Sequence, residues 1–214
     1  MKFRRKSESS EAADTTETAE VDEVEAAGPV VGPYDVDDLA ADDEIVRIDL
    51  GSLLVEPVEG LELRLQVEDA TQTVQSVMLA GPEGAVELRA FAAPRNGDLW
   101  SEVRPQIAAE YAQRGGTASA QEGRWGTELV CNLTVRTDDG RTGNQASRVV
   151  GINGARWMLR ATFLGSPAVD AEAAQLWESA VAKLVVRRGK EAMPVGAELP
   201  LVLPAADNLV VHEH

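Results

Sequence analysis

Residues Gln145 to Leu164 read QASRVVGI, then Asn153-Gly154, then ARWMLRATFL. Asn-Gly between two runs of strand-forming residues is a strong local hairpin signal, because both residues accept positive φ. The second arm alternates strictly. Trp157, Leu159, Ala161 and Phe163 share one face, and Arg156, Met158, Arg160 and Thr162 share the other. A three-residue loop (Asn153, Gly154, Ala155) would set Arg148 opposite Arg160 and bring Val149 and Gly151 to the Trp157 face. A two-residue loop would turn Arg148 toward Trp157 and Leu159. The longer loop avoids that burial and is the register expected here. A sheet with one apolar face and one arginine-bearing face follows.

The chain of 214 residues has room for one domain with tails, and its 44% hydrophobic content suffices for a core. The net charge of −16 is unevenly spread. Residues 1–44 hold four basic and fourteen acidic side chains and so carry −10, leaving −6 for the other 170 residues. A net-acidic chain is a poor general binder of nucleic acid. The basic start MKFRRKSESS has no apolar stretch after it, so no secretory signal is read there. Apolar runs fall far short of a membrane span. The single Cys131 excludes an internal disulfide framework, and a cytoplasmic protein is expected.

Residues 1–28 are Ser, Thr, Ala and Glu with almost no large apolar side chains, which predicts a disordered acidic tail. Residues 29–44 are read as an acidic arm, interrupted by Gly32-Pro33-Tyr34-Asp35, whose aromatic could dock on the domain. They lack the ligand spacing of a calcium loop. A single α+β domain is expected over 45–189, and 190–214 as an extended C-terminal strap and tail.

Within the domain, Val46, Ile48 and Leu50 alternate with polar residues, and Leu61, Leu63, Leu65 and Val67 do so more cleanly. Turns at Asp69-Ala70-Thr71 and Gly81–Gly84 divide this strand from those at 73–80 and 85–92, giving an antiparallel meander. Asp98 is placed to cap a helix in which Trp100, Val103, Ile107 and Tyr111 recur, with Pro105 inside and Gly115-Gly116 at its end. Strands follow at 117–123 and around Leu129–Val135, and Asp138-Asp139-Gly140 turns into the hairpin. Ser166-Pro167 and Asp170 open a second helix with Trp177, Val181, Leu184 and Val185 as its stripe. Arg187 and Arg188 are read at its C-terminal end, and Gly189 stops it. The pattern predicts an α+β fold: a mostly antiparallel twisted sheet of about six to eight strands, its apolar side covered by two helices.

The residues exclude several chemistries. The only histidines, His212 and His214, stand at the end of the sequence, which removes the base of serine and cysteine hydrolase mechanisms. Cys131 lies on an inward register and reads as a buried thiol. No phosphate-cradling glycine motif occurs. Asp138 and Asp139 read as turn formers. No metal or cofactor is expected. What remains is Arg148, Arg156 and Arg160, neighbours on one exposed face in the expected register. Like charges placed side by side cost stability, so the cluster suggests an anionic partner: a phosphate, an acidic protein, or the chain's own acidic arm. The alternative is three solvated arginines paired with glutamates such as Glu62 or Glu87.

Arg47-Ile48-Asp49-Leu50-Gly51-Ser52-Leu53, the Gly32–Asp35 element and the hairpin Gly151–Arg160 together resemble an actinobacterial family of unknown function, often encoded near a dUTPase gene. The resemblance covers roughly residues 29–190 and implies no activity. The order of elements is also similar to Mog1/PsbP-like proteins, which implies a binding or assembly factor without catalytic residues. A fold hosts many functions, so this shifts only the prior. Two functions are therefore expected to compete. One is a non-enzymatic protein-binding or assembly domain. The other is a binder of a small anionic ligand, or an enzyme on nucleotide-related metabolites, built on the arginine face. Convergence of the three arginines on a concave pocket would favour the second, and their spread over an open surface the first.

Overall fold

The structure is a computed structural model that describes residues 32–68, 73–136 and 142–204. The expected acidic tail, the turns at 69–71 and 138–140 and both histidines lie outside the described residues. The strands are β1 (Tyr34–Asp35), β2 (Ile48–Asp49), β3 (Leu53–Val55), β4 (Glu62–Glu68), β5 (Thr73–Gly81) and β6 (Gly84–Ala92). Helix α1 (Leu99–Gln113) is followed by β7 (Thr117–Gly123), β8 (Gly126–Arg136), β9 (Thr142–Asn153) and β10 (Trp157–Gly165). Helix α2 (Ala171–Ala182) and β11 (Val185–Val186) complete the order.

Seven strands form an antiparallel sheet in the order β4-β5-β6-β10-β9-β8-β7. Four short ones form a second sheet, β1-β11-β3-β2, in which only β1 and β11 run parallel. This is the α+β architecture expected, and two helices cover the large sheet. They do so from opposite sides, whereas both were expected on the apolar one. Val77, Leu79, Val86, Leu88, Trp157, Leu159 and Phe163 pack with Trp177 and Val181 of α2 and with the small sheet's Leu53, Val55 and Val186. On the reverse face Leu129, Cys131, Val149 and Met158 pack with Leu99, Trp100 and Ile107 of α1. The reason is visible in β9 and β10. Val149 and Val150 in β9, and Met158 and Leu159 in β10, put apolar side chains on opposite faces, so the sheet has two sides to bury.

Asp98 caps α1 as expected, accepting from the Ser101 amide at 3.0 Å, and Asp170 caps α2 through the amides of Glu172 and Ala173. Gly115, at φ 78°, lets the chain leave α1. Helix α2 ends earlier than the pattern suggested. Leu184 falls just past it and Val185 lies in β11, where Val185 pairs with Tyr34 on one side and Leu54 on the other. Arg187 and Arg188 accordingly follow a strand and not a helix. Residues 196–199 run beside β6, with Gly196 N donating to Ala92 O, Ala92 N to Ala197 O and Leu199 N to Ala90 O, all at 2.8 Å.

Candidate functional site

The central hairpin decides where the arginines go. Its register pairs Asn153 with Met158, Gly151 with Arg160 and Arg148 with Phe163. The turn centres on Ala155-Arg156, closed by Gly154 N donating to Trp157 O at 2.8 Å. Neither Asn153 nor Gly154 takes positive φ. Their identity has other causes. A Cβ on Gly154 would overlap the Trp157 indole that folds across it. Asn153 Oδ1 accepts from the Trp100 amide at 3.2 Å, while its Nδ2 donates to Asp98 Oδ1 at 2.7 Å, which ties the hairpin to the start of α1. Relative to the expected register the pairing slips by three residues, an odd number, so Arg148 moves to the opposite face of β9. Gly151 moves as well, to the Trp100 side.

The three arginines therefore occupy three different surroundings. Arg148 is buried beneath α2. Its Nη1 lies 3.2 Å from Glu128 Oε2, its Nη2 lies 2.8 Å from Glu178 Oε1, and its guanidinium stacks 4.2 Å from the Phe163 ring centroid. Glu128 also accepts from Gln121 Nε2 at 2.8 Å. A buried charge is tolerated only with such pairing, and this one is fully spoken for by structure.

Arg156 stands at the turn, where its Nη2 donates to Gly189 O at 3.4 Å. It lines a cleft of about 280 Å³ with Asp35, Val36, Asp37, Arg187, Arg188, Gly189 and Lys190. Asp35 and Asp37 of the acidic arm thus line the same cleft as Arg156, alone among the three arginines singled out from the sequence. No arm carboxylate is within ion-pair distance of it among the described residues.

Arg160 lies on the reverse face, half-buried, at the edge of the area that α1 covers. It faces a groove of about 370 Å³ whose walls are α1 (Leu99, Glu102, Val103, Gln106) and Val195-Gly196, with Phe91 and Met158 below. Its guanidinium sits 5.2 Å from the Phe91 ring centroid. Directly across the strand pair is Arg89, which takes the nearby carboxylates: Glu87 at 3.0 Å and Glu198 at 3.7 Å. Among the described residues the Arg160 guanidinium has no ion pair and no hydrogen bond of its own. Burial, and secondarily the positive field of Arg89, hold its pKa below the ordinary arginine value, against the opposing pull of Glu87, Glu198 and Glu110. Arginine stays protonated at neutral pH despite such a shift. A charged, partly desolvated guanidinium without a counter-ion, in a groove with an apolar floor, can bind an anionic group.

The sequence reading missed the partners of these residues. Glu128 and Arg148 become neighbours only once the register is known. Phe91 and the segment at 195–196 are distant in sequence from Arg160 and carry no local mark. Among the described residues no group of three or more His, Cys, Asp and Glu could hold a metal ion, and no helix is long and apolar enough to cross a membrane.

Cys131 is fully buried, and burial pushes its thiol up to about 11. At about pH 8 the native thiol is expected to resist a disulfide reagent, with one equivalent reacting only after urea unfolding. Rapid stoichiometric labelling of the folded protein would refute the inward placement.

Fold and site together define a two-sheet α+β domain with one helix on each face of its large sheet and an arginine-bearing groove beside one helix. No curated protein matches the chain. It belongs to the protein family of unknown function DUF3710, whose model matches residues 32–208.

Proposed function

We propose that this chain is a non-enzymatic, cytoplasmic binding domain whose groove at Arg160 takes a small monoanion with an apolar body, such as a carboxylate. The observation that carries the reading is the unpaired Arg160 guanidinium stacked on Phe91 at the floor of that groove. The criterion posed from the sequence is met in neither form, because the arginines neither converge nor share one open surface. The groove rests on Arg160 alone. Its size falls in the range of small-molecule sites, and its mix of apolar floor and one oriented charge is their usual make-up. The surroundings argue for a single negative charge. Arg160 is the one cation among the residues lining the groove, and Glu102 stands in the same wall, so a second negative charge on the ligand would find no partner. One guanidinium suits one carboxylate in a paired geometry.

The test is ligand-observed NMR at pH 8 with a panel of hexanoate, phenylacetate and benzoate, with inorganic phosphate as the dianion comparison. At least one of the three carboxylates is expected to bind, and to bind tenfold or more weakly to Arg160→Met, since charge-assisted hydrogen bonds are worth about 1.5–3 kcal/mol. Arg64→Met, at an exposed pair with Glu62, should leave binding unchanged. Equal binding to wild type and Arg160→Met, or no binding across the panel, would overturn the reading.

A protein partner is the second reading, and one observation favours it. Helix α1 covers only part of the reverse face. Arg64 and Gln66 are left exposed there, and Glu87, Arg89 and Thr162 half-exposed. The likeness in element order to Mog1/PsbP-like binding factors supports a binding role of either kind. Affinity capture with wild type and Arg156→Glu/Arg160→Glu separates the two readings. A protein retained by wild type and lost from the variant favours the partner.

A further inference from the structure

The Arg156 cleft differs in kind from the Arg160 groove. Four cations line it, Arg156, Arg187, Arg188 and Lys190, against two carboxylates, Asp35 and Asp37. Among the described residues, Arg187 alone of the four has a carboxylate partner. Its Nη1 lies 2.8 Å from Asp49 Oδ2 and also donates to Gly51 O at 3.0 Å, which fixes it to the small sheet. Among the described residues, Arg156 and Arg188 donate only to backbone carbonyls, Gly189 O at 3.4 Å and Glu191 O at 3.1 Å. Lys190 has no side-chain hydrogen bond or ion pair among the described residues. On the acidic side, Asp35 is already occupied. Its Oδ2 accepts from Trp157 Nε1 at 2.8 Å and its Oδ1 from the Asp37 amide at 3.0 Å. Asp37 alone among the two is exposed and unengaged through its carboxylate.

Arg156, Arg188 and Lys190 share one concavity with no ion pair among the described residues, and Asp37 is the one unengaged carboxylate lining it, so the cations outnumber the charge that could relieve their mutual repulsion. Arg156 stands on the hairpin turn, and Arg188 and Lys190 on the chain leaving β11. We propose that this cleft binds a phosphate or diphosphate group, free or carried by a larger molecule, through Arg156, Arg188 and Lys190. Several cations around one site suit a multiply charged oxyanion, with arginine forks to the oxygens and lysine as a point charge. The single, acid-surrounded guanidinium of the other groove does not. Asp37 stands at the same cleft as an opposing charge and weakens the site.

The test is calorimetric titration of the full chain with pyrophosphate and with inorganic phosphate, at low and moderate salt. Saturable binding of pyrophosphate to wild type is expected, weakening as salt rises. It should fall tenfold or more in Arg156→Gln/Arg188→Gln/Lys190→Gln. Because Arg156 and Arg188 each donate to one backbone carbonyl and Lys190 has no side-chain hydrogen bond among the described residues, the triple variant should melt as wild type does. Arg188→Gln/Lys190→Gln, which spares the hairpin turn, gives the same test should the triple variant melt early. D37N should tighten binding by about threefold, the scale of one exposed charge. Arg160→Met should leave pyrophosphate binding unchanged, so this site and the monoanion groove stand or fall separately. A soluble head group such as glycerol phosphate, and vesicles containing a phosphoinositide, separate a free ligand from a membrane-borne one. No saturable binding, equal binding to both cation-deleted variants, or no response to D37N would overturn the proposal.

Discussion

Replacing Arg148 with alanine is expected to lower the unfolding free energy by about 3–5 kcal/mol, the cost of breaking a buried ion pair from one side. Glu128 would then keep a carboxylate, almost wholly removed from water, with only Gln121 as a neutral partner. Glu178 would fare better, because it lies nearer the surface. Urea denaturation measures the loss. The companion variant Arg148→Met/Glu128→Gln removes both charges and retains most of the volume, so it should recover most of the stability. A loss below about 1 kcal/mol for Arg148→Ala, the range of exposed pairs, would mean that these charges are solvated and the register is wrong. Arg148 would then return to the list of candidate binding residues.

Gly151→Ala should cost about 3 kcal/mol, at the upper end for overpacking. Gly151 lies directly across from Arg160 and under the Trp100 indole, so a methyl group there would overlap the ring. The ring has little freedom to retreat. Its Nε1 donates to Thr127 O at 2.6 Å, and the Trp100 amide is held by Asn153. In a Trp100→Leu background the same change should cost much less, and the coupling between the two is read from a thermal-melt double-mutant cycle. Additive losses would refute the contact. Because α1 also forms one wall of the Arg160 groove, Gly151→Ala should disturb that groove while leaving the Arg156 cleft intact.

Much of the fold is legible in single elements. Period-two alternation marks β4 to β6 and β10, and the Asp98 and Asp170 caps mark where both helices begin. What local pattern could not show is which strand residues meet. Asn153-Gly154 has the composition of a turn, yet the glycine is required by an indole and the asparagine by a helix start. Taking Asn153, Gly154 and Ala155 as the loop, in preference to the two-residue loop that would have turned Arg148 toward Trp157, slipped β9 by three residues and carried Arg148 to the wrong face. The second misjudgement has the same root. Strands β9 and β10 send apolar residues to both faces, and a period-two template keeps only one of them. The site was half visible for a related reason. Arginines can be found by eye in a sequence, but whether each has a counter-ion depends on Glu128, Glu178 and Glu198, which arrive from distant segments. An unpaired charge is a property of the whole fold.

Strand β10 sends Trp157, Leu159 and Phe163 into one cluster and Met158 into the other, with β6 and β9 hydrogen-bonded on its two sides. The two interiors thus share a single partition. Neither can swell or melt without loosening the wall of its neighbour, so the domain should behave as one cooperative unit despite having two hydrophobic compartments.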